Sequence, residues 1–234
     1  MGYKNPVSNG VTSKSPRFYG RRKGRPLRQS MKRRLDEVLP AFVFDPSVSA
    51  NIQFGRTADC YLEIGFGGGE HLAGLAAAMP DCDFIGAEPF VNGVASLLRH
   101  IDEQQLSNIL IWPDDVRLIL PTIDMASLAG AFIMFPDPWP KRRHAGRRIL
   151  QPAFLDQLAT IIRPGGKLVL ASDDPTAKSW LLQAAIAHFG FVWTARRPED
   201  WRQRPADLPE TRYMKKAYRA ERVSSWFQFR RCGG

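Results

Sequence analysis

The chain has 234 residues, 44% of them hydrophobic, enough for one substantial core with appendages and too apolar for a disordered or fibrous protein. Cys60, Cys82 and Cys232 lie far apart with no CxxC pair, which argues against a disulfide framework or a zinc site. Neither a signal-peptide h-region nor an apolar run of bilayer length is present, so a soluble cytoplasmic protein with no membrane and no metal partner is expected.

The net charge of +10 is concentrated at one end: residues 14–34 hold ten bases and no acid, and the remaining 23 bases balance the 23 acids. With Phe18, Tyr19 and several glycines, this run reads as a mobile arm that neutralises phosphates, or as a solvated tail. Residues 1–45 are taken as a basic N-terminal extension and 46–234 as the folded domain. Cys60 to Ile64 then predicts a buried strand and Glu70 to Met79 a helix; Asp83 to Glu88 predicts a strand and Val91 to Glu103 a helix. A strand over Asn108 to Trp112, a short helix near Val116 to Leu120 and a strand over Gly130 to Phe135 follow. A helix from Ala153 to Ile162 is stopped by Pro164 and Gly165-Gly166, ahead of a strand over Lys167 to Ala171. Trp180 to Phe189 predicts a helix, and Phe191 to Thr194 and Ser224 to Phe229 the last two strands, joined by a loop with a short helix. This alternation predicts an α/β fold with a mostly parallel seven-stranded sheet and helices on both faces, binding its ligand beyond the carboxyl ends of the strands.

The chemistry concentrates at three places. In LEIGFGGGE, Leu62 to Glu70, the glycines Gly65, Gly67, Gly68 and Gly69 let a ligand approach the main chain and the amides of a helix N-terminus. Alone, such a turn suits NAD, FAD, another nucleoside cofactor or a purely structural bend. Glu88, nineteen residues after Gly69, stands where a carboxylate accepts hydrogen bonds from ribose hydroxyls. Glu63, just before the first glycine, suits a cofactor with an ammonium group and would repel a pyrophosphate, a role favoured over that of a surface or loop-fixing residue. After the third strand, Asp115 or its neighbour Asp114 can accept from an adenine amino group, or cap the next helix.

The third place is FPDPWPKRRHAGRRIL, Phe135 to Leu150. Pro136, Pro138 and Pro140 stiffen the backbone and present Asp137 beside Trp139 at the end of a strand. A carboxylate there can accept from guanine N1 and N2 hydrogens, the indole can stack on a base, and Lys141, Arg142, Arg143, Arg147 and Arg148 can contact phosphates.

On LEIGFGGGEHL, GAEPFVNGV, NILIWPDDVRLIL, FPDPWPKRRHAGRRIL, LASDD and ETRYMKKAYRAE, the chain resembles the bacterial tRNA (guanine-N7)-methyltransferases from about Tyr61 to Arg231. The resemblance implies a Rossmann-like class I methyltransferase fold and transfer of a methyl group from S-adenosylmethionine to guanine N7 in the variable loop of tRNA, by a monomer or homodimer. It implies cofactor binding by Glu63, Gly65, Gly67, Glu88, Asp115 and Asp137, with Asp137 also catalytic. It implies substrate binding by Lys141, Asp173, Thr211, Arg212, Tyr213 and Met214. The family pattern T-x-x-E is broken at Met214, and Glu210 is the nearest acid to take over from the missing glutamate. Competing readings are a methyltransferase for another acceptor, an RNA chaperone with a degenerate nucleotide fold, and an NAD-dependent dehydrogenase, which Glu63 and the lack of a Tyr/Lys or His catalytic pair disfavour.

Overall fold

A computed structural model describes residues 17–233. The strands are β1 (Asp59–Ile64), β2 (Cys82–Ala87), β3 (Ile109–Trp112), β4 (Leu128–Met134), β5 (Ile162–Ser172), β6 (Phe191–Trp193) and β7 (Ser225–Arg231). The α-helices are α1 (Gln29–Glu37), α2 (Ala50–Phe54), α3 (Glu70–Ala78), α4 (Val91–Gln104), α5 (Pro152–Ile161), α6 (Pro175–Ile186), α7 (Glu199–Arg202) and α8 (Arg212–Arg219). All seven strands form one sheet in the order β3-β2-β1-β4-β5-β7-β6, parallel except for β7, which runs antiparallel to both its neighbours.

Because both faces are covered, the central strands are apolar almost throughout instead of alternating. Leu62, Ile64, Ile85 and Ile133 pack into one core layer with Phe154, Leu158 and Leu181 of α5 and α6. Phe84, Ile111, Phe132 and Trp226 enter the other with Leu72 of α3, Leu97 of α4 and Met214 of α8. The strand order reverses between β1 and β4, and this switch point opens the crevice where the ligands of such sheets bind.

Three elements differ from the reading of the sequence. β5 begins at Ile162, directly after α5, and not after the Pro-Gly-Gly stretch. Pairing jumps from Leu128↔Ile162 to Gly130↔Lys167, so residues 163–166 bulge out of register with Gly165 at φ 75°, where proline and glycine are tolerated. α6 starts five residues early because Asp174 caps it, accepting from Ala177 N at 2.9 Å, with Pro175 at the first helical position. The stretch before β7 carries two short helices, α7 and α8, where one was expected.

The described part of the basic extension lies on the domain. Helix α1 packs on α4, with Arg34 3.3 Å from Asp102, and Phe42 and Phe44 bond to both backbone groups of Ile111, covering the edge of β3. Lys14 and the rest of residues 1–16 lie outside the described residues. No helix among the described residues is long and apolar enough to cross a membrane.

Candidate active site

The crevice is a cavity of about 840 Å³ over the carboxyl ends of β1, β2 and β4. Its floor is the glycine turn. Gly65, Gly67 and Gly69 adopt φ of 73°, 56° and 78°, a left-handed conformation that a side chain disfavours. A Cβ on Gly65 or Gly67 would meet nothing within 4 Å, so the space above the turn is free for a ligand. Under the turn the opposite holds, since a Cβ on Gly93 of α4 would lie 2.1 Å from Gly67 O.

Glu88 fixes this geometry. Its Oε2 accepts from Gly67 N at 2.7 Å and its Oε1 from Phe90 N at 2.9 Å, while its own backbone N donates to Trp112 O. It is buried yet faces the cavity. Burial pushes its carboxyl above the usual glutamate range, the amides of Phe90 and Gly67 pull it back, and the nearby charges of Asp137 and Glu63 add to the rise.

Glu63 is not on the cavity wall. Facing the other side of β1 from Ile64, its carboxylate lies 2.8 Å from His71 Nδ1 on α3, both groups buried. Its carboxylate thus ties the strand before the turn to the helix after it. Asp115 does reach the cavity, where it caps the following 3-10 turn through Arg117 N and holds the Arg117 guanidinium at 2.5 Å. Asp114 turns outward to Arg22, 2.7 Å away, which separates the two neighbours: Asp115 faces the crevice and Asp114 ties down the extension.

Asp137 stands on the cavity wall, exposed, in a loop held at several points. Phe135 and Trp139, on either side, are left-handed at φ 53° and 40°, costing about 1–3 kcal/mol each, so the surroundings must impose this shape. They do so through Phe135 N to Ala171 O at 2.8 Å, Trp180 Nε1 to Pro138 O at 2.9 Å and Arg148 Nη2 to Trp139 O at 3.3 Å. Arg147 lies between the rings of Trp139 and Tyr19, 5.1 and 4.9 Å from their centroids.

Tyr19 belongs to a strap, Phe18 to Arg21, that forms one wall of the cavity. It is pinned by Val91 N to Arg22 O, Gly24 N to Asn92 Oδ1 and Asn92 Nδ2 to Arg25 O. Charge alone gave no signal of this; Phe18, Tyr19, Gly20 and Gly24 inside the basic run were its trace in the sequence.

The residues expected to bind substrate separate into two groups. Asp173, at the end of β5, accepts from Tyr213 OH at 3.0 Å and pairs with Arg222 at 3.1 Å, and the Tyr213 ring leans on Phe135 at 4.9 Å, so these residues adjoin the Asp137 loop. Thr211 caps α8, accepting from Met214 N at 3.3 Å, and Arg212 is bound through its backbone N and guanidinium to Glu70, the first residue of α3. Lys141 stands at the position before the 3-10 turn Arg142–Arg147 without a side-chain capping bond and stays in solvent. Met214 is buried in the core, with its sulfur as a weak acceptor 3.4 Å from Thr211 N. It keeps the form of a capping box, while Glu210, just ahead of it, pairs with Lys215. Among the described residues no cluster of His, Cys, Asp and Glu could hold a metal ion.

A family model described as "Putative methyltransferase" matches residues 57–225. The tRNA (guanine-N(7)-)-methyltransferase of Rhodospirillum rubrum is 49% identical over 92% of this chain and 88% of its own length. That of Paramagnetospirillum magneticum is 42% identical over 97% of this chain and 98% of its own. Among solved structures, the 16S rRNA methyltransferase KamB superposes with a TM-score of 0.55 at 15% identity, covering 80% of this chain and 95% of that one, a likeness of fold. The strand order, the glycine turn over Glu88, the rigid Asp137 loop and these alignments agree: the chain belongs to the tRNA (guanine-N(7)-)-methyltransferase family.

Proposed function

We propose that this chain transfers the methyl group of S-adenosylmethionine to N7 of a guanine in tRNA, in the variable loop, leaving 7-methylguanosine. The observation that carries the reading is the rigidly held Asp137 beside the open glycine turn, with arginines around the mouth of the same cavity.

The residues fit the cofactor. The free space above Gly65 and Gly67 admits a ligand against the main chain, the Glu88 carboxylate faces that space where ribose hydroxyls would donate to it, and Asp115 on the same cavity would accept from the adenine amino group. When bound, S-adenosylmethionine supplies an electrophilic methyl group on a sulfonium. Guanine N7 carries an in-plane lone pair and no proton, so accepting the methyl requires no general base. The work left to the protein is to align N7 with the methyl and to offset the positive charge that develops on the purine. Asp137 does both: its carboxylate accepts from the Watson–Crick hydrogens of guanine and is an anion near the reacting ring. Asp173 and Tyr213 brace that loop through Phe135, Thr211 and Arg212 hold α8 beside the glycine turn, and Lys141 would contribute charge outside the cavity. Glu63 acts through His71 by fixing α3 against β1.

Incubating unmodified tRNA with methyl-labelled cofactor, then cleaving chemically at 7-methylguanosine, tests the reading. Label at that nucleoside in the variable loop is expected; label only in another base would refute it.

The raised carboxyl of Glu88 gives a pH dependence. In the free protein its folded-state value lies above its unfolded one, so the folded state holds the proton to higher pH, and the stability this group contributes falls as pH rises through that window. Cofactor binding has the opposite sign, because ribose hydroxyls donate to the ionised form. Affinity for S-adenosylmethionine, measured by calorimetry, is expected to fall on acidification, beginning above the ordinary glutamate range. Glu88→Gln should bind weakly and without this dependence; an equally steep loss in the variant would assign the titration to another group.

A further inference from the structure

Helix α8 is short, and its side chains divide by position. Met214 and Ala217 are buried, while Arg212, Lys215, Lys216 and Arg219 follow the i, i+3, i+4, i+7 spacing that gathers four side chains on one side of a helix. This arrangement is unfavourable for an isolated helix. Like charges at i, i+4 repel one another, and Arg212 and Lys215 sit in the first turn, where the helix dipole disfavours cations.

Within the fold the charge is only partly answered. Arg212 pairs with Glu70, and Lys215 lies 3.4 Å from Glu210. Lys216 and Arg219 have no ion pair among the described residues, and Tyr218, one turn after Lys215 at the flank of the stripe, is 85% exposed. A stripe of bases next to an unsupported aromatic ring is complementary to a ribose-phosphate chain with accessible bases, since phosphates need cations and every base offers a face to stack on.

The placement suits that partner. Arg212 is tied to Glu70, the residue that follows the glycine turn, and Tyr213 to Asp173 and Phe135, so the stripe stands at the same end of the sheet as Asp137. Between Arg212 and Arg219 it extends about 10 Å along the helix axis.

We propose that the solvent face of α8 is a docking ridge for the tRNA backbone, in which Lys216 and Arg219 contact phosphates and Tyr218 stacks on an unpaired base. This rests on tRNA being the substrate, and it assigns residues beyond those the family resemblance implies. Through Glu70 the ridge is continuous with the cofactor turn, so RNA seated on it is held in register with the methyl donor.

The test uses the full chain with Lys216→Ala/Arg219→Ala, Tyr218→Ala and Tyr218→Phe. All three altered positions carry exposed side chains, and thermal melts identify any variant that misfolds. The double variant is expected to raise KM for tRNA about tenfold with kcat and cofactor affinity unchanged, and to reduce the slope of log binding constant against log salt by roughly 1.5 to 2, the loss of two phosphate contacts. Tyr218→Ala should raise KM by at least about fivefold at every salt concentration, while Tyr218→Phe behaves as wild type. If wild type methylates tRNA and the double variant keeps the native KM and salt slope, the ridge is refuted and the activity stands. If wild type places no label in tRNA, the activity itself fails.

Discussion

Asp137→Ala is expected to slow guanine methylation by at least about a hundredfold, the scale set by losing one preorganised electrostatic group in an active site. Affinity for the cofactor and for tRNA should stay within about tenfold. The separation follows from the geometry: Asp137 is exposed on the cavity wall, while the turn is held by Glu88 and the loop by Trp180, Arg148 and the Phe135 amide. Removing the carboxylate therefore leaves both scaffolds standing. Asp137→Asn separates its two tasks, since the amide keeps an acceptor oxygen but no charge. If charge stabilisation dominates, Asn behaves like Ala in kcat; if positioning dominates, Asn retains a substantial part of the rate. Full activity in Asp137→Ala would remove this residue from the reaction centre.

The parts of the molecule legible in the sequence are those whose signal is local. The run from Asp59 to Ala78 reads correctly because a mostly buried parallel strand, a glycine turn and a helix follow one another within twenty residues, each with its own composition. The Asp137 loop reads correctly because three prolines limit its backbone, although nothing in the sequence announces that Phe135 and Trp139 would be left-handed. What failed to read depends on tertiary partners. The spacing of Glu63 from the glycines is legible, but its bond to His71, eight residues later on the packed helix, is not. The basic extension reads as an arm or a tail because its charge dominates its composition. Its backbone nevertheless bonds to Val91 and Asn92, and Phe42 and Phe44 to the sheet edge, partners that no local pattern points to. Met214 looked like a lost acid; its burial against Thr211 turns it into a packed cap.

Gly93→Ala is expected to abolish cofactor binding and to cost about 1–3 kcal/mol of stability, the usual price of forcing one methyl group into a filled interior. The methyl would stand 2.1 Å from Gly67 O, 3.1 Å from Gly67 C and 3.4 Å from Glu88 Cγ. The nearest of these is backbone, so relief cannot come from rotating a side chain; either α4 or the turn must move. Moving the turn breaks the 2.7 Å bond from Gly67 N to Glu88 and disturbs the amides and the carboxylate together. Gly67→Ala provides the contrast. Its Cβ has open space, so the fold bears only the strain of φ 56° in a residue with a side chain, about 1–2 kcal/mol, but the methyl projects into the volume the cofactor needs. Urea unfolding and calorimetry should therefore find both variants unable to bind S-adenosylmethionine, one because the floor is displaced from below and the other because it is occupied from above. Native affinity in Gly93→Ala would show that the turn does not depend on the close approach of α4, and the role given to Glu88 in holding it would have to be withdrawn.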